Sequence, residues 1–157
     1  MSLELIILIL SYIVLIFLLI KYVSKDKIRE AQVIFLFKQV MTWLLGFIVV
    51  EHKLISYPQR LFAYAARTSF TFEYFIFPAI SILFNLYYPF EKGLFRKLCY
   101  YFSYVSTITL IEVVLERYTE LIEYHNWHWY WTWLSLCTTF YLSNKYYRWF
   151  FKIKKSN

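Results

Sequence analysis

Five apolar runs, each about as long as a bilayer core is thick, constrain this chain more than any other feature. They cover residues 3–20, 33–50, 70–88, 98–121 and 127–149. A helix crosses the hydrocarbon core in about 20 residues. With only 2 glycines and 3 prolines in 157 residues, turns are few and elements must be long. The chain is 61% hydrophobic and only 17% charged, against about 25% charged in an ordinary soluble domain. A soluble fold of this size has too little interior to hide that much apolar surface. The expectation is a single all-α domain over 1–157, an integral membrane bundle of five transmembrane helices surrounded by lipid.

The first run, "LELIILILSYIVLIFLLI", lacks the basic lead and small-residue cleavage site of a secretory signal; it reads as a retained helix. The clusters "YYPF", "WHWYW" and "YYRWFF" suit the water–lipid boundary, where amphipathic rings settle. Segment 53–69 is too polar to span. A short interfacial helix over 58–67, with arginine at each end of "RLFAYAAR", is one reading of it and a plain loop the other.

Lysine and arginine set the orientation. Lys21, Lys25, Lys27 and Arg29 fall in the first loop, Lys92, Arg96 and Lys97 in the third, and Lys145, Arg148, Lys152, Lys154 and Lys155 in the tail. With five spans these segments share one side. The other side holds Lys53, Arg60, Arg67 and Arg117. The positive-inside rule then puts the N-terminus outside and the C-terminus in the cytoplasm. The basic inner face implies attraction to anionic lipid at the cytoplasmic leaflet. Nucleic acid is a poor partner, because the basic residues are juxtamembrane and no nucleic-acid motif is present.

Acids and imidazoles gather at the opposite end: Glu4, Glu51, Glu73, Glu112, Glu116, Glu120 and Glu123, with His52, His125 and His128. Glu112, Glu116 and Glu120 are spaced by four and Glu123 follows by three, so on a helix they form one stripe. Placing a charge within the membrane costs about 2.5–3.5 kcal/mol on insertion scales, so such groups tend to face the bundle interior and to be functional. Glu73, Glu112, Glu116, Arg117, His125 and His128 are therefore the candidates for a polar pocket. Carboxylate with imidazole suits a proton or a divalent cation, but no HExxH or comparable spacing fixes a metal or any cofactor. The bland alternatives are a solvated helix end for Glu116, Glu120 and Glu123, headgroup anchoring for the histidines, and a structural pair of Glu112 with Arg117. Lys38, about two turns inside the second run, reads as snorkelling to the cytoplasm. Asn85 reads as an interhelical hydrogen-bonder and Pro78 as a kink or a freed carbonyl. Cys99 and Cys137 read as buried reduced thiols. No Gly-rich phosphate loop, nucleophile elbow or Cys–His pair is recognisable.

The stretches "REAQVIFLFKQ", "SFTFEYFIFPA…FNLYYP", "LERYTELIEYHNWHWYWTW" and "YYRWFF" resemble a family of small multi-pass membrane proteins of spore-forming Bacillota. The resemblance runs from about Lys25 to Lys152. It implies a bacterial cytoplasmic membrane and an all-helical fold, and brings no activity and no catalytic residue with it.

Two functions from different classes fit these residues. One is an outward-facing, membrane-embedded pocket handling a proton, a small cation or a lipid headgroup, either as an enzyme with one carboxylate as general acid/base or as a small transporter that would work as a homo-oligomer. The other is an accessory subunit of a larger membrane partner, its ionisable groups serving as helix-packing pairs. Burial discriminates them: in the first Glu73 and Glu112 converge on a shared cavity, in the second they meet basic residues such as Arg67 or Arg117.

Overall fold

A computed structural model describes residues 2–153, so Lys154 and Lys155 of the basic tail lie outside the described residues. The chain is all-α apart from one two-residue ribbon. Helix α1 (Leu3–Tyr22) is followed by a 3₁₀ turn (Lys25–Lys27) and α2 (Ile28–Glu51). A loop carrying β1 (Ile55–Ser56) leads to a π-helical segment (Phe70–Ile76) that continues into α3 (Phe77–Leu86). Then come α4 (Leu94–Tyr118), β2 (Glu123–Tyr124) and α5 (Trp129–Phe150). By length and composition, α1, Lys25–Glu51 and α4 can each cross a membrane, and Phe70–Leu86 is a shorter apolar helix. Helix α5 is long enough, but tyrosine, tryptophan and hydroxyl residues interrupt its apolar character.

Local chemistry explains most boundaries. Ser2 caps α1 by accepting from the Leu5 N–H at 3.3 Å. Ser69 does the same for Phe72 at the start of the π segment. That segment is wide because Pro78, just inside α3, has no N–H for the preceding turn. Helix α2 takes up the carbonyls left there. Gln39 Nε2 donates to the Tyr74 carbonyl at 2.9 Å and Thr42 Oγ1 to the Glu73 carbonyl at 2.6 Å. A π turn thus becomes a docking surface, and Glu73 is turned toward α2.

Two sequence expectations are corrected at this level. The fourth run does not stay helical to 121. Thr119 leaves the helix in an extended conformation, and its hydroxyl bonds the Leu115 carbonyl at 2.6 Å and accepts from the Leu121 N–H at 3.2 Å. The chain turns so that Leu121 and Ile122 enter the core. The expected stripe therefore breaks after Glu116; Glu120 sits in the turn and Glu123 on β2. Residues 58–67 are a series of turns, not an interfacial helix. Arg60 reaches back to the carbonyls of Tyr57, Ala63 and Ala66 at 2.7, 3.1 and 2.8 Å, and Phe62 adopts a positive φ of 58° that no α-helix accommodates.

The packing divides along the long axis. At one end Leu8, Ile55, Tyr57, Phe72, Leu121 and Ile122 form a cluster beneath the ribbon, in which Ile55 pairs with Tyr124 and Ser56 with Glu123. Phe84, Val105, Ile108, Leu136 and Phe140 fill the middle. Ala31, Ile34, Ile82 and Tyr147 close the other end, where Tyr87 donates to the Tyr22 carbonyl and Tyr147 to Glu30. Between α3 and α5, Asn85, Ser81, Ser143 and Asn144 form a buried hydrogen-bonded knot, with contacts of 2.8 to 3.2 Å. Asn85 thus makes the interhelical bonds its position suggests. The outward faces are apolar: Ile13, Phe17 and Ile20 on α1, Leu36, Val40 and Leu44 on α2, and Leu110 and Val114 on α4 are all exposed.

Candidate functional site

Beneath the ribbon lies a cavity of about 110 Å³, bounded by α2, the π segment, α4 and α5. Glu73 and Glu112 both line it, with Thr42, Gly46, Tyr57, Trp127, Thr132, Ser135 and Thr139 among its other walls. Each carboxylate is buried and held by hydroxyl groups. Glu73 Oε1 accepts from Tyr57 Oη at 3.2 Å. Glu112 Oε1 accepts from Tyr124 Oη at 2.6 Å and from Thr132 Oγ1 at 2.7 Å. Thr132 in turn accepts from Trp127 Nε1 at 2.8 Å, which anchors the indole at the cavity wall. Each glutamate is thus fixed through Oε1 and keeps Oε2 without a hydrogen-bond partner among the described residues.

Gly46 makes the Glu73 placement possible. A Cβ at this position would lie 2.8 Å from Thr68 Oγ1 and 2.9 Å from Glu73 Cδ, closer than side-chain atoms pack. The Glu73 carboxyl therefore rests directly on the α2 backbone. The hydroxyls of Thr68 and Thr71 are buried without a partner among the described residues. On the ribbon side, burial raises the Tyr57 phenol well above its usual range, and the charges of Glu73 and Glu112 add to this. Burial and the Glu112 charge likewise raise Tyr124. Both phenols remain proton donors at any physiological pH.

Of the six candidate residues, the fold brings only Glu73 and Glu112 together. Glu116 is partly buried and does not line the cavity; Arg117 is exposed, and it forms no ion pair with Glu112 among the described residues. His125 is exposed on the far side of the ribbon. It bonds Ser56 Oγ at 2.9 Å and lies 4.0 Å from Glu123, a half-exposed pair of the kind that contributes little. His128 is exposed at the start of α5 and stacks on Tyr130. The expected carboxylate–imidazole set is therefore not assembled, and no group of three or more His, Cys, Asp or Glu side chains with metal-binding geometry exists among the described residues.

Lys38 does not snorkel. It is completely buried; its Nζ donates to Thr139 Oγ1 at 2.6 Å and lies 3.9 Å from the centroid of the Phe140 ring. A cation over an aromatic face is stabilised when desolvated, and Thr139 connects it to the cavity wall. Cys99 is exposed rather than buried, and Cys137 is partly buried. The supporting hydroxyls of Tyr57, Tyr124 and Thr132 were missed because Tyr57 lies in a loop, Tyr124 on a two-residue strand with no local pattern, and Thr132 resembles any small helix-packing residue. The one signal that could have found Thr132 is the polar spacing Thr132, Ser135, Thr139 and Ser143 along one face of α5. No family model, curated protein or solved structure matches this chain.

Proposed function

We propose that this protein is a five-span protein of the bacterial cytoplasmic membrane, with its N-terminus outside, whose buried acidic cavity binds a small monovalent cation at the outer end of the bundle. The observation that carries this reading is the convergence of Glu73 and Glu112, from different helices, on one cavity whose other polar lining is hydroxyl and indole, with the Lys38 ammonium held behind Thr139 rather than in the cavity. Two carboxylates in a cavity lined otherwise by neutral groups attract a positive charge and repel anions. The accessory-subunit reading would have paired them with Arg67 or Arg117, and neither forms such a pair among the described residues. A small ammonium ion suits the donor set best. The free Oε2 atoms are acceptors, and among the described residues the ligand count of a transition-metal centre is not reached. The basic loops at the opposite end support contact with anionic lipid of the inner leaflet.

The test uses the full chain in neutral detergent. Apparent melting temperature is recorded for wild type, Glu73→Gln and Glu112→Gln while sodium, potassium, ammonium and ethylammonium chlorides are titrated at constant ionic strength. A ligand that binds the folded state raises stability with its concentration. Wild type should respond to the ammonium ions and both variants should lose the response while folding at least as well. Variants that unfold readily, with no cation effect in wild type, would make the carboxylates packing residues and turn attention to protein partners.

A further inference from the structure

A second cavity adjoins the first, and its chemistry is the opposite. About 240 Å³ of space lies between α1, the π segment with α3, and α4. Its walls are almost wholly apolar, among them Leu8, Val14, Ile76, Ile80, Ile108 and Ile111, and the Ser11 hydroxyl beside them is turned back onto the Leu8 carbonyl at 2.7 Å. Phe77 and Glu112 line both cavities. The groove therefore ends at a buried carboxylate. Val14 and Ile111, on the two flanking helices, are 52% and 54% exposed, so the groove opens sideways between α1 and α4. In a five-span bundle that opening faces hydrocarbon.

We infer that the two cavities form one binding site for an amphiphile with a primary-amine headgroup, its hydrocarbon chain lying in the α1–α3–α4 groove and its ammonium group meeting Glu112 and Glu73. This rests on the cation-binding reading and names its ligand class. An apolar groove alone would accept any chain. The carboxylates at its inner end select the head, because an anionic head would be repelled and a neutral one would leave Glu112, which no basic side chain meets among the described residues, without a counter-charge. Chain and head can be seated together because the two spaces share a wall, made by Phe77 and Glu112. The ligand arrives laterally from the membrane through the Val14–Ile111 opening and needs no aqueous path.

Hexadecylamine, hexadecanol and ethylamine separate chain from head in the same detergent-solubilised protein. Hexadecylamine should raise the melting temperature of wild type at a concentration at least about tenfold below ethylamine, since each buried methylene adds to affinity. Glu112→Gln should abolish the preference for hexadecylamine over hexadecanol. Ile80→Trp, which fills the groove, should bring hexadecylamine down to the potency of ethylamine while leaving the ethylamine response intact. As a readout independent of any variant's folding, a hexadecylamine carrying a diazirine in its chain should label wild type within residues 7–15, 76–80 and 108–115 upon irradiation. Equal potency of the long and short amines, or labelling confined to outward faces of the bundle, would overturn the groove as the chain site while the cation cavity stands. Failure of every amine to act would remove both readings.

Discussion

At the scale of single residues, the site depends on what is absent at Gly46 as much as on the glutamates. Gly46→Ala puts a methyl group within 2.9 Å of Glu73 Cδ and 2.8 Å of Thr68 Oγ1. Overpacking of this kind costs about 1–3 kcal/mol, and relief by moving Glu73 takes the carboxyl off the cavity wall. The expected outcome is a lowered melting temperature together with loss of the ammonium response, read in the same titration. Tyr57 gives a second prediction. Its phenol is raised well above the usual value, first by burial and then by the neighbouring carboxylates. A group with a raised folded-state value stabilises fully below its unfolded pKa, about 10 for tyrosine, and that stability is lost as pH rises toward the folded value. Chemical denaturation from pH 8 to 11 should show wild type losing stability above about pH 10, with Tyr57→Phe less stable at pH 8 but flatter with pH. Glu73 and Glu112 were legible in the sequence because a charge among apolar residues is conspicuous. Gly46 was not, since a glycine in a helix announces no neighbour, and Tyr57 looked like one more aromatic of a loop.

At the scale of elements, the decisive feature is the π segment ahead of Pro78. A proline was visible, and a freed carbonyl was one of its two expected effects. Which carbonyls and what would fill them depended on α2 lying alongside, with Gln39 and Thr42 one helical turn apart on the contact face. Thr42→Val keeps the shape and removes the donor to the Glu73 carbonyl. A buried acceptor left unsatisfied costs about 1–3 kcal/mol, so thermal unfolding should move down by that amount, while Thr42→Ser should retain most of the stability. If Thr42→Val unfolds like wild type, the π turn does not need α2 to hold it. The loops were the least legible elements. The reach of "RLFAYAAR" suggests a helix by composition, but Arg60 is used up on three carbonyls of its own loop. The ribbon joins residues nearly 70 positions apart, Ser56 with Glu123, and no local pattern encodes such a pairing. It matters to the site because it carries Tyr124 to Glu112 and leaves His125 outside.

At the scale of the whole molecule, the charge distribution and the packing describe the same two ends. The basic segments around residues 21–30 and 91–97 and the C-terminal end of α5 meet where Tyr87 bonds Tyr22 and Tyr147 bonds Glu30. The acidic segments meet at the ribbon, where the Gln59 N–H donates to the Glu120 carbonyl and the His125 N–H to the Leu54 carbonyl, each at 3.0 Å. Apolar length and Lys/Arg asymmetry carry this information in the sequence, because lipid solvation and insertion act on whole segments rather than on partners. Orientation can be tested with single cysteines in a Cys99→Ser, Cys137→Ala background. Lys53, Asn126, Lys25 and Glu91 are all exposed, so each can be replaced by cysteine at little cost to packing. A membrane-impermeant maleimide applied to intact cells should label the variants at 53 and 126, and should reach those at 25 and 91 only after permeabilisation. The ribbon makes the first pair a stringent control. Its strands hold the segments next to 53 and 126 together, so the two must label alike whatever the orientation. Labelling of 25 and 91 from outside would invert the bundle and turn the acidic cavity toward the cytoplasm, leaving its chemistry intact but changing the leaflet from which an amine-headed lipid could be drawn. Labelling of 53 without 126 would mean that the segments between them cross the membrane an odd number of times, which is incompatible with a ribbon closing the cavity.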